Sequence, residues 1–255
     1  MMVDLGRCLR CGECARACPQ GAIRGQSGDF CRYDRKLCDG CGLCLAACPA
    51  RARSLSGRLM STEEVLAVIE RDRAFFRRSG GGVTLGGGEP TRQAAFAHDL
   101  LRACRKLNLH TALETCGHCA WEILKEMIPV TDLFLYDLKQ ADGEKHRWLT
   151  GKDNLTIIDN LRRLGAASAP LKIRYPLIPG ANAARADIAG LIMLVKSLPG
   201  PVAVEISPYH RFGEGKYAML GRDYALKGLE TPTPDQVAAV VAQIRSSGIS
   251  CLALH

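Results

Sequence analysis

Nine of the thirteen cysteines fall between Cys8 and Cys48, and eight of these make two copies of one pattern. Cys8, Cys11, Cys14 and Cys18 follow C-x2-C-x2-C-x3-C with Pro19 next, and Cys38, Cys41, Cys44 and Cys48 repeat it with Pro49 next. Soft thiolates suit iron–sulfur clusters, and two-residue gaps let three sulfurs converge on one cube within a tight loop. Gly12 and Gly42 sit inside those loops, where close backbone approach is useful. The fourth cysteine of such a run normally ligates the other cluster. Cys8, Cys11, Cys14 and Cys48 are therefore expected to hold one four-iron–four-sulfur cluster, and Cys38, Cys41, Cys44 and Cys18 a second. C-x2-C pairs also make zinc ribbons, but two complete repeats that each end in Cys-Pro favour iron–sulfur. Cys31 lies outside both patterns and reads as a buried thiol or a loop residue. The spacing leaves open whether the clusters carry electrons or staple a surface that recognises a partner.

This pattern marks residues 1–53 as a bacterial-type, ferredoxin-like domain, and residues 54–255 as a second domain of different rhythm. Cysteine at this density would mean disulfides in a small secreted chain. Met1 to Arg10 has no long apolar stretch, and no run reaches the roughly 18 residues that span a bilayer. A cytoplasmic, reducing and anaerobic setting is the expectation, with thiols kept free for metal. The net charge of +8 is spread along the chain, so it reads as a solvated basic surface and not a nucleic-acid or membrane site.

Beyond Gly57, Ser61 and Glu64 stand in capping-box register ahead of an apolar helical face ending near Ser79. Strands are expected at 83–85, 110–115, 132–137, 171–178, 202–206 and 250–254, and helices at 93–107, 120–128, 155–164, 184–196 and 234–246. Strands alternating with helices mean a parallel sheet of βαβ units, either part of a (β/α) barrel or an open doubly wound sheet. In both, chemistry gathers at the C-terminal ends of the strands. The unusual residues fall there: GGGEP, LETCGH, YDLK, RYPLIPG and SPYH, one after each of five strands.

Gly86, Gly87 and Gly88 leave backbone groups unshielded, which can suit an amino-acid-like ligand or a phosphate, although on its own a triple glycine more often makes an ordinary tight turn. No Lys-Ser or Lys-Thr follows, so the turn is not a P-loop. Asp137 and Lys139 end a strand as D-x-K and point to one face, as a surface ion pair or as a grip on a ligand's carboxylate and hydroxyl. His210, beside Tyr209, can stack or hydrogen-bond. Glu114 and Asp137 offer hard oxygens for a cation. Cys104, Cys116, Cys119 and Cys251 read as non-ligands.

In order along the chain, VTLGGGEP, LETCGH, VTDLFLYDLKQ with His146, LTG, RYPLIPG with Asn182, and SPYHRFGEGKY with Leu220 and Gly221 resemble the activating enzymes of glycyl radical enzymes. That family is typified by pyruvate formate-lyase activating enzyme and belongs to the radical S-adenosylmethionine class. The resemblance runs from the double cysteine pattern to the end of the chain. It implies a partial (β/α)6 TIM-like barrel, missing its first strand, whose cleft holds S-adenosylmethionine. Gly87, Gly88 and Glu89 would contact the methionyl amino group, and Asp137, Leu138, Lys139 and His210 would line the rest. The implied enzyme is a radical S-adenosylmethionine oxidoreductase. It cleaves S-adenosylmethionine reductively, and the 5′-deoxyadenosyl radical takes hydrogen from a glycine of a partner glycyl radical enzyme. The implied reductant is a flavodoxin or a ferredoxin-type protein.

Two departures stand out. The family carries C-x3-C-x2-C near its N-terminus, for a third four-iron–four-sulfur cluster open to S-adenosylmethionine, and that spacing does not occur here. The expectation is a missing N-terminal piece and impaired S-adenosylmethionine cleavage. The alternatives are an electron-transfer protein that uses its two clusters alone, and a relic that docks the partner. The second departure is Gly86, where the family usually has serine.

Overall fold

The computed structural model describes residues 1–25, 28, 32–220 and 222–254. Cys31 and Gly221, both singled out above, lie outside the described residues. The chain divides into two compact units. One is Met1–Leu59 with His210–Gly228, and the other is Met60–Tyr209 with Leu229–His255.

The first unit is built twice over from the repeated cysteine pattern. Strand β1 (Met2–Val3), helix α1 (Glu13–Arg16) and strand β2 (Ile23–Arg24) are echoed by β3 (Arg32–Tyr33), α2 (Leu43–Ala46) and β4 (Arg53–Ser54). β1 pairs antiparallel with β4, and β2 with β3. Each short helix begins after a glycine with left-handed backbone, Gly12 at φ 77° and Gly42 at φ 79°. A side chain is strained there, which is why both cysteine loops carry glycine at this place.

The second unit opens with α3 (Thr62–Ile69) and α4 (Arg73–Ser79), joined by a single 3-10 turn. The expected capping box is present. Glu64 N–H donates to Ser61 Oγ at 3.3 Å, and Ser61 N–H to Glu64 Oε2 at 2.7 Å. There follow β5 (Gly82–Leu85), α5 (Ala94–Lys106), β6 (His110–Thr115), α6 (Trp121–Met127) and β7 (Leu133–Asp137). Then come α7 (Gly143–Thr150), α8 (Leu155–Ala166), β8 (Leu171–Leu177), α9 (Arg185–Lys196) and β9 (Ala203–Pro208). Helix α10 (Phe212–Met219) belongs to the first unit, and α11 (Pro234–Ser246) and β10 (Cys251–Ala253) complete the second.

The six strands β5 to β10 form one parallel sheet in unbroken chain order. A doubly wound sheet reverses its strand order at a switch point. This sheet has none, so of the two architectures left open by the sequence it is the partial barrel. β5 is an edge, paired only with β6. In β8 the residues alternate between buried Leu171, Ile173, Tyr175 and Leu177 and the half-buried Lys172, Arg174 and Pro176. The buried set joins the main core with Leu101, Leu161, Leu191 and Ile244 from the helices. The half-buried set faces away from that core. Among the described residues, no helix is long and apolar enough to cross a membrane.

Candidate functional site

The C-terminal ends of β5, β6 and β7 carry most of the chemistry. Past β5 the chain turns through Gly86 to Gly88, all exposed, with Gly87 at φ 96°. A Cβ on Gly86 would come within 3.0 Å of Glu114 Oε2, so the glycine makes room for that carboxylate.

Glu89 caps the 3-10 turn Pro90–Gln93 and knits this loop to the end of β6. Its Oε1 accepts from Thr91 N–H at 3.2 Å, Thr91 Oγ1 at 2.9 Å and Thr115 Oγ1 at 2.7 Å. Its Oε2 accepts from Cys116 N–H at 3.0 Å. Burial alone would raise the Glu89 carboxyl, but these hydrogen bonds outweigh it and hold the group below the usual carboxylate range.

The LETCGH loop is shaped by what lies beneath it. Gly117 has φ 69°, and a Cβ there would run into the Tyr136 hydroxyl. Tyr136 is fully buried and donates to the Ile157 carbonyl at 2.6 Å. Asn160 Nδ2 donates to the carbonyls of Gly117 at 2.8 Å and Cys119 at 2.9 Å. Burial pushes the Cys116 thiol up to about 11.

At the end of β7, Lys139 Nζ and Asp137 Oδ2 are 3.0 Å apart and both half-buried. Leu138 between them is fully buried and donates its N–H to the Arg174 carbonyl at 2.9 Å. Asn182, fully buried, secures this corner: its Nδ2 donates to the carbonyls of Lys139 at 2.9 Å and Pro176 at 2.6 Å, and its Oδ1 accepts from Ile178 N–H at 2.7 Å. His146 is buried too, with Nδ1 2.8 Å from the Lys152 carbonyl, so it holds the end of α7. His210 belongs to the first unit, where its exposed ring sits 4.6 Å from that of Phe212.

The sequence reading missed a line of charges running across three strands. Arg174 on β8 reaches Glu114 Oε2 on β6 through Nη1 at 3.1 Å, and Glu205 Oε2 on β9 through Nε at 3.2 Å. Lys172 Nζ takes the other Glu205 oxygen at 2.6 Å. A signal was present in LKIRYPL and VEISP, where charged residues take the face opposite the apolar ones. The same pairings leave neither Glu114 nor Asp137 as a free carboxylate for a cation, since each already faces a basic side chain.

In the first unit, Cys8, Cys11, Cys14 and Cys48 line one small cavity together with Val3 and Arg53. Cys18, Cys38, Cys41 and Cys44 line another with Met1 and Tyr33. The cofactor expectation is corrected here. Among the described residues, no three or more His, Cys, Asp or Glu side chains are gathered so as to hold a metal ion. Two four-iron–four-sulfur clusters on these cysteines, or a third elsewhere, do not fit that finding. Each cavity is lined by the four cysteines expected for one cluster, yet no three of those side chains form a group that could hold a metal ion. Right spacing in sequence places cysteines in one loop, and only tertiary packing brings sulfurs together.

Comparison with known proteins places the chain. The sequence model described as the Radical SAM superfamily matches residues 28–192, and that of a 4Fe-4S binding domain matches residues 1–24. The isethionate sulfite-lyase activating enzyme of Nitratidesulfovibrio vulgaris is 40% identical over 96% of this chain and 81% of its own length. The choline trimethylamine-lyase activating enzyme of Oleidesulfovibrio alaskensis is 40% identical over 93% and 78%. A crystal structure of a domain of pyruvate-formate lyase-activating enzyme from Bacteroides vulgatus matches with a TM-score of 0.59 and 28% identity, covering 69% of this chain and 99% of that domain. With its parallel partial barrel, its strand-end motifs and relatives of this likeness, the chain belongs to the activating enzymes of glycyl radical enzymes, within the radical S-adenosylmethionine superfamily.

Proposed function

We propose that this chain activates a partner glycyl radical enzyme, with S-adenosylmethionine held at the C-terminal ends of β5 to β7. The observation that carries the placement is the Asp137–Lys139 pair, 3.0 Å apart at the end of one strand and half-buried. In the family reaction one electron enters S-adenosylmethionine and the sulfur–C5′ bond breaks, giving methionine and a 5′-deoxyadenosyl radical. The radical takes a hydrogen atom from a backbone glycine of the partner, leaving 5′-deoxyadenosine and a glycyl radical. The electron comes from a flavodoxin or a ferredoxin-type protein.

The chain's own residues bind and orient. Gly87 and Gly88 offer unshielded main chain, and the Glu89 carboxylate supplies negative charge for the methionyl ammonium. Lys139 supplies a cation for the carboxylate and Asp137 an acceptor for a hydroxyl, with fully buried Leu138 fixing the main chain between them.

The test is equilibrium dialysis of labelled S-adenosylmethionine against the anaerobically purified chain and its Lys139→Ala and Asp137→Ala variants. Chromatography of 5′-deoxyadenosine formed under a strong reductant accompanies it. Each variant should weaken binding by about tenfold or more, the equivalent of one charge-assisted contact. Absence of binding by the parent chain, or parental affinity in both variants, would overturn the proposal.

A further inference from the structure

We infer that Glu205 is a positioning residue that fixes Arg174 as an additional S-adenosylmethionine contact. This rests on the proposed placement of S-adenosylmethionine. Arg174 stands opposite Asp137 in the β7–β8 register, so the two side chains leave the sheet on the same face, side by side. Its guanidinium has five N–H groups. Nε–H donates to Glu205, and Nη1 makes an ion pair with Glu114 at 3.1 Å. The remaining N–H groups have no partner among the described hydrogen bonds, and the side chain is 24% exposed. Arg174 is therefore held at two points with donors to spare, beside the Asp137–Lys139 pair.

What holds it is built for the task. Glu205 is 8% exposed and uses one oxygen for Arg174 and the other for Lys172, so its carboxylate cannot swing. It stands opposite Arg174 in the β8–β9 register, which sets the separation that Nε–H must bridge. The two acidic and two basic side chains of the line balance one another, so the sheet carries them partly buried without a net charge. An arginine fixed on both sides gives up little freedom when it meets an acceptor oxygen of S-adenosylmethionine.

Dialysis of labelled S-adenosylmethionine tests the assignment, using Glu205→Gln, Arg174→Ala, the double variant and Lys172→Met, with thermal unfolding in parallel. Glu205→Gln keeps the shape and removes the charge. It should weaken binding by about tenfold. Arg174→Ala should weaken it at least as much, and the double variant no more than Arg174→Ala alone, because Glu205 acts through Arg174. Lys172→Met, which leaves Arg174 with its partner, should give a smaller loss in the same direction. If Glu205→Gln unfolds near the parental temperature and binds as tightly as the parent, the inference fails and the S-adenosylmethionine site stands. Multiplying losses in the double variant would also overturn it, since Glu205 would then act on its own. A parent chain that binds no S-adenosylmethionine overturns the proposed site, and this inference with it.

Discussion

Replacing Glu89 by Gln tests whether this carboxylate is the knot between the GGGEP turn and the end of β6. Four donors point at it: three at Oε1, from Thr91 and Thr115, and one at Oε2, from Cys116 N–H. A glutamine amide offers one oxygen and one NH2. With the oxygen toward the threonines, the NH2 faces Cys116 N–H. Turned over, the NH2 can donate to the threonine hydroxyls but faces Thr91 N–H. Either way one half-buried backbone donor loses its acceptor, a cost of about 1–3 kcal/mol. For a chain of this size that lowers the unfolding temperature by about 2–12 °C. The loss should also depend on pH. The folded-state value of Glu89 lies below its ordinary 4.5, because its hydrogen bonds outweigh burial. Its contribution is then complete above pH 4.5 and disappears as pH falls through the folded value. Calorimetric scans of both proteins from neutral pH downward should show a gap that narrows in acid. A variant as stable as the parent at neutral pH, or a gap unchanged by acid, would refute the reasoning.

Gly117→Ala should destabilise by about 2–4 kcal/mol, from left-handed strain together with the collision with buried Tyr136. Gly87→Ala, with φ 96° and no atom within 4 Å of the added carbon, should cost only about 1 kcal/mol of backbone strain. Equal losses in urea titrations of the two would remove the collision from the account. Asn182→Asp sets carboxylate oxygens against the carbonyls of Lys139 and Pro176, and should cost about 3 kcal/mol by the same titration. Cys116, its thiol pushed up to about 11 by burial, should resist alkylation in the native protein at mildly alkaline pH while exposed Cys41 reacts. Peptide mass spectrometry reads both, and early labelling of Cys116 would show that its loop is open.

The local sequence determined the elements it could encode by period and cap. The strand at 110–115 and the helix at 234–246 form where the pattern puts them, and Ser61 and Glu64 make the expected capping box. α7 and α10 were not legible, for different reasons. In α7 only His146 is buried, so no apolar stripe announces the helix. α10 carries two glycines and buries no residue at all. The strand-end motifs were visible as motifs, but what their residues do was decided across the fold. Glu89 takes two donors from Thr91 nearby and two more from 26 and 27 residues away. Arg174 is pinned between carboxylates on two other strands. The cysteines repeat the lesson with the opposite outcome: spacing placed them in paired loops, yet among the described residues they form no group that could hold a metal ion. A period or a cap is settled by neighbours within one turn of chain. A donor meeting its acceptor across a barrel is settled by the register of strands far apart in sequence, which local patterns do not encode.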